Sequence, residues 1–124
     1  MMKQQQGKDH KPLSESFKDA LAGFLHAVRT ERNLLIQFLA AVIVIAFSLA
    51  IRIPFTEMLI VLILIGGVIS LELMNTAVER LVDLVTREKK PLAGAAKDLA
   101  AASVWWFSMI AAAIYFFILL DALI

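Results

Sequence analysis

Three long uncharged stretches constrain this chain more than any other feature. Residues 34–51 are apolar apart from Gln37 and Ser48. Residues 58–71 carry no charge, and their helical pattern runs on past Glu72 to about Val85. Residues 99–120 hold two serines, Tyr115 and a Trp pair as their only polar side chains. A hydrocarbon core of ~30 Å is crossed by about 20 apolar helical residues, so the stretches predict three transmembrane helices. The composition agrees: 60% of the residues are hydrophobic, more than a small soluble core can bury, yet 19% are charged. Charge and hydrophobicity must therefore be segregated along the chain. Disorder is excluded on the same grounds. The absence of cysteine removes disulfides, thiolate nucleophiles and zinc–thiolate or iron–sulfur sites.

The expected fold is an all-α membrane protein. Residues 1–13 read as a polar tail and 14–124 as a single membrane domain. Within it, Phe17, Leu21, Phe24, Leu25 and Val28 fall on one face of a helix over about 14–32, an amphipathic element suited to a membrane surface. The spans are expected at about 34–52, 57–86 and 99–120, joined by a tight turn at Pro54 and a polar loop at 86–91 that Gly94 follows. Of the 12 Lys and Arg residues, only Arg52 lies between the first two spans; the others precede the first span or surround the second connection. The positive-inside rule then places the N-terminus and the second loop in the cytoplasm. Gly66, Gly67, Ser70 and the alanine runs allow close helix approach, and so thin a monomer calls for oligomerisation.

The chemistry concentrates on the second span. Glu72, Asn75, Glu79 and Asp83 are spaced i, i+3, i+7, i+11, and at about 100° per residue they share an arc of about 80°. With the outer boundary near Met58, Glu72 lies ~21 Å along the axis, Glu79 ~31 Å and Asp83 ~37 Å. Glu72 is then inside the hydrocarbon, Glu79 at the headgroups and Asp83 in water. An acid in the core costs about 2.5–3.5 kcal/mol on insertion scales, so Glu72 requires a reason: a site at the interface, or a packing carboxylate neutralised by a partner. Carboxylates graded across an interface suit a hard cation such as Mg²⁺, with nucleotide phosphates as further ligands. The deepest of them suits a general base toward a lipid hydroxyl. The geometry suggests phosphoryl transfer to a lipid alcohol, with Lys97 and Asp98 available for phosphate, metal or nucleotide contacts. The five glycines form neither G-x-x-x-x-G-K-[ST] nor G-x-G-x-x-G, so a nucleotide would be held by side chains and metal.

The run Glu72-Leu73-Met74-Asn75-Thr76-Ala77-Val78-Glu79-Arg80-Leu81-Val82-Asp83 resembles E-x-x-N-[ST]-A-[IV]-E-x-[VL]-V-D, the signature of the small prokaryotic integral-membrane diacylglycerol kinase family, which includes diacylglycerol and undecaprenol kinases. Thr30-Glu31-Arg32-Asn33 and the segment from Pro91 to Asp98 are similar to the family as well. The resemblance implies an ATP- and Mg²⁺-dependent kinase of the bacterial inner membrane, a homotrimer with sites between subunits. It implies Glu72 as catalytic base, with Asn75 in the active-site motif, and Glu31 and Glu79 as metal-binding acids. It implies nucleotide contacts at Asp83, Lys97 and Asp98, and at Glu88, Lys89 and Lys90 in the loop. The Thr30–Asn33 run resembles the undecaprenol kinase branch, which favours undecaprenol over diacylglycerol. One departure stands out: where the family's diacylglycerol kinases carry an N-terminal arginine, this chain has Pro12, with Lys11 beside it.

Other readings predict different behaviour. A non-enzymatic assembly protein would tolerate neutral substitutions in the stripe and bind no nucleotide. An ion or proton conductor would spread acids through the full depth, whereas the outer part of the second span and nearly all of the first and third carry none. His10 and His26 lack metal-site spacing and belong to the tail and a wet helix face. Trp105 and Trp106 read as packing or interfacial anchors.

Overall fold

The computed structural model describes residues 11–124; most of the expected tail, with His10, lies outside them. The described residues form four helices, α1 (Leu13–Thr30), α2 (Arg32–Ala50), α3 (Phe55–Val85) and α4 (Pro91–Leu123). The last three are long and apolar enough to cross a membrane. At 1.5 Å per residue, the 31 residues of α3 extend ~46 Å and outrun a ~30 Å hydrocarbon core. The surplus accommodates the C-terminal turns that carry Glu79 and Asp83.

α3 is the central element: it packs mainly along α4, then on α2, and touches α1. The closest approach is at Gly67, where a Cβ would collide with the ring of Phe107. A side chain there would force the Phe107 ring to shift, in line with the small-residue pattern. Gly66 meets nothing within 4 Å, so the pair divides into one packed and one open position. Large side chains such as Leu62, Ile63, Phe116 and Phe117 are exposed around the outside, the arrangement of helices solvated by lipid. Trp105 and Trp106 also point outward, beside Phe107 at mid-helix, far from either end of α4. Neither is buried within this chain.

Three boundaries differ from the sequence expectation. The first helix ends at Thr30 and the next begins at Arg32, so the break is Glu31 alone, with extended φ of −107° and ψ of 108°. Its N–H donates to the Ala27 carbonyl and its own carbonyl accepts from the Leu35 N–H. One residue thus closes two helices, and Glu31 stands at a corner. α4 begins at Pro91, about two turns before the expected span. Proline is favoured in a first turn because its missing N–H is one that has no helical partner there. The alanines around Gly94 carry the helix through it. Between α2 and α3, Arg52 adopts a left-handed φ of 58°, a conformation seldom taken by residues with a Cβ.

α2 and α4 stand apart, leaving a cavity of about 320 Å³ walled by apolar side chains of α2, α3 and α4. Two polar bridges cross this region. Far from the acidic stripe, the fully buried Ser48 Oγ donates to the Val44 carbonyl and pairs with Tyr115 Oη, both at 2.7 Å. At the other end, Gln37 reaches toward Glu72.

Candidate active site

The stripe read from the sequence is a stripe in the structure, graded in exposure along α3. Glu72 is 5% exposed and Asn75 9%; Glu79 and Asp83 are half-buried. The grading runs toward the C-terminal end of α3, where Leu81, Leu84 and Val85 are exposed too.

Glu72 Oε2 accepts from Gln37 Nε2 at 3.5 Å, the long limit of a hydrogen bond. No cation bonds it among the described residues, and Glu79 and Glu31 are both within electrostatic reach of it. A carboxylate retained for packing would carry a close compensating partner, because burying a charge without one is costly. Glu72 lacks one. Around it, Gln37 Oε1 and Asn75 Oδ1 are buried acceptors with no donor among the described residues. Asn75 Nδ2 donates to Glu79 Oε1 at 3.1 Å, which orients both side chains. Such an assembly offers acceptor oxygens to an incoming hydroxyl and uncompensated negative charge to an incoming cation.

Glu31 reaches the same neighbourhood from the α1–α2 corner. Arg80 Nη2 donates to Glu31 Oε1 and to Thr30 Oγ1, each at 2.9 Å, and Thr30 Oγ1 donates to the His26 carbonyl at 2.8 Å. The three acids Glu31, Glu72 and Glu79 therefore share one bonded guanidinium among the described residues. Their oxygens are the hard donors a magnesium ion selects, and the deficit of positive charge fits a divalent cation. Among the described residues, no three His, Cys, Asp or Glu side chains converge as a closed cage. An ion at Glu31 and Glu79 would complete its shell from elsewhere, as Mg²⁺ commonly does with water and phosphate.

Beyond the stripe lies the charged end. Lys97 Nζ bonds Asp83 Oδ1 at 2.6 Å, joining α4 to α3. It stands about two turns into α4. A groove of about 570 Å³ runs from Val82 along the 86–91 loop to Lys97, and Arg87, Lys89, Lys90 and Lys97 line it with only Glu88 opposing them. Lys90 and Glu88 approach at 3.8 Å with both side chains exposed, a contact of little energy. Lys89 and Asp98 are exposed and make no side-chain hydrogen bond or ion pair among the described residues. Near the N-terminus, Lys11 pairs with Asp19, and Pro12 precedes α1.

The structure thus brings Glu31, Glu72, Asn75 and Glu79 into one neighbourhood spread along about two turns of α3, and Asp83, Lys97, Glu88, Lys89 and Lys90 into the next; Asp98 stays outside. Sequence reasoning missed the roles of Gln37 and Arg80. Gln37 was visible as a polar break in an apolar stretch, the signal of a residue facing the bundle interior. Arg80 carried no signal beyond its charge.

Comparison with known proteins adds two findings. The family model described as prokaryotic diacylglycerol kinase matches residues 18–119. The undecaprenol kinase of Bacillus subtilis (strain 168) is 41% identical over 120 residues, covering 94% of this chain and 98% of that protein. Both matches run through the surface corner, the stripe and the charged loop. With three helices able to cross a membrane and a graded acidic site on the central one, the chain belongs to the prokaryotic diacylglycerol kinase family and is a multi-pass membrane lipid kinase.

Proposed function

We propose that this kinase transfers the γ-phosphoryl group of ATP to the hydroxyl of undecaprenol, with diacylglycerol as the second candidate acceptor. The 41% identity to an undecaprenol kinase supports the first choice. The single observation that carries the mechanism is Glu72, buried without a countercharge among unpartnered acceptors at one end of an apolar cavity.

Each part of the site has one task. The cavity receives an apolar chain and lets the alcohol rise to Glu72. Gln37 Nε2 and Asn75 Nδ2 hold the Glu72 and Glu79 carboxylates and so orient them around that hydroxyl. Glu72 takes the hydroxyl proton as the oxygen forms its bond to the γ-phosphorus and the bond to the β-phosphate oxygen breaks, leaving ADP. Lys97, released from Asp83, stabilises charge on the transferring group. Glu88, Lys89, Lys90, Asp83 and Asp98 line the approach of the nucleotide. Glu31 and Glu79 would hold Mg²⁺, which when bound neutralises phosphate charge.

We place the stripe and the 86–91 loop on the cytoplasmic side, supported by the concentration of basic residues there. The exposed Phe17, Leu21 and Leu25 of α1 support a helix lying on the membrane surface. Residues 14–124 act as one membrane kinase domain, and a homotrimer supplies the groups that close so open a site. Phosphate transfer from labelled ATP to undecaprenol and to diacylglycerol in mixed micelles is the test. Faster transfer to undecaprenol is expected; transfer to neither alcohol would overturn the reading.

A further inference from the structure

We infer that Arg80 is a positioning residue: it sets the Glu31 carboxylate, and the α1–α2 corner that carries it, against the site on α3. The inference rests on the proposed role of Glu31. Three observations carry it. First, the two bonds from Arg80 Nη2 fall on consecutive residues of the corner, Thr30 and Glu31, and Thr30 is itself tied back to His26. The corner is thereby fixed in side chain and backbone together.

Second, little else holds α1. Its one buried residue is Ala27; it touches α2, where Phe24 meets Phe38 edge-on at 6.4 Å, and makes only a small contact with α3. The break at Glu31 is a single extended residue. A corner so lightly packed depends more on its polar tie than a helix buried along its length does. Third, Arg80 follows Glu79 directly and so points about 100° away from it around α3. Glu79 faces the stripe with Asn75, while Arg80 reaches out for Glu31. One turn of α3 thus bears one acid of the site and the anchor for the other. The bond engages Oε1 of Glu31 and leaves Oε2 for a ligand.

A charge that only screened Glu31 would act in the opposite sense, since removing a cation beside a metal site strengthens metal binding. The sign of the effect therefore separates positioning from screening. The test is Mn²⁺ binding with a non-hydrolysable ATP analogue, followed by electron paramagnetic resonance, for Arg80→Met, Arg80→Lys, Glu31→Gln and the Arg80→Met/Glu31→Gln double variant. Backbone hydrogen exchange over residues 27–35 is measured without metal or nucleotide. Arg80→Met should weaken Mn²⁺ binding about tenfold, as loss of groups that orient metal ligands does, with Arg80→Lys intermediate. It should add nothing in the Glu31→Gln background and should speed exchange at the corner.

Unchanged or tighter Mn²⁺ binding in Arg80→Met overturns the inference, and so does equal weakening in the Glu31→Gln background. Unchanged exchange in Arg80→Met, with Glu31→Gln impaired, overturns it while leaving Glu31 as a ligand. If Glu31→Gln alone binds Mn²⁺ as the native protein does, the reading of Glu31 as a metal ligand falls, and the inference with it.

Discussion

The two ends of the cavity each hold a buried polar bridge, and they are opposites. At one end Ser48 and Tyr115 are neutral, short-bonded and complete: Ser48 Oγ donates to Val44 and Tyr115 Oη can donate to Ser48. At the other end Glu72 has a single amide donor at 3.5 Å, and two buried carbonyl oxygens beside it have no donor among the described residues. A satisfied polar pair in hydrocarbon ties helices together and does nothing more. An unsatisfied acid in hydrocarbon is a cost to the fold, retained where a ligand is to complete it. On the proposed function, the same three helices build a structural end and a reactive end, and substitutions should sort accordingly.

The largest effect is expected at the reactive end. Glu72→Gln removes the base but keeps the shape, and turnover should fall by about 10²–10⁴, the range of general-base catalysis. The helical circular dichroism and thermal midpoint should stay at or above native values, because a buried charge is gone. Lys97→Met comes next. Loss of an electrostatic contact to the transferring group should cost about 10²-fold in kcat, read from initial rates at saturating lipid.

Gly67→Leu probes the packing between the two ends. The new side chain meets the Phe107 ring, and overpacking should destabilise the fold by about 1–3 kcal/mol in reversible detergent denaturation. Tyr115→Phe breaks the structural bridge while keeping its ring. Hydrogen bonds between membrane helices average about 0.6 kcal/mol, so a small loss of stability with near-native turnover is expected. A large loss of turnover in Tyr115→Phe would break the contrast between the ends. The smallest effect is Arg52→Gly, which relieves the left-handed φ of 58° in the α2–α3 turn. A gain of up to about 1 kcal/mol in the same denaturation is expected.

The reactive end was far more legible in the sequence than the structural end. Glu72, Asn75, Glu79 and Asp83 lie within one helix, so their alignment follows from helical spacing alone. The three long helices followed from uncharged length. By contrast, Ser48 and Tyr115 are 67 positions apart, and no periodicity links them. The same limit hid the Arg80–Glu31 and Gln37–Glu72 pairs, 49 and 35 positions apart. Boundaries failed where hydropathy was the guide. It locates the apolar part of α4, whereas the helix starts at Pro91 because that residue suits a first turn. Likewise the corner at Glu31 is a backbone event without a proline or glycine to announce it.

The account's central claim is that the end with the uncompensated carboxylate carries the chemistry and the end with the satisfied pair does not. Initial rates of phosphate transfer to undecaprenol for Glu72→Gln and Tyr115→Phe, prepared side by side in the same micelles, address it most directly. The predicted result is loss of at least about 10²-fold for Glu72→Gln and a rate within about twofold of native for Tyr115→Phe. Native-like turnover in a folded Glu72→Gln enzyme would contradict the account.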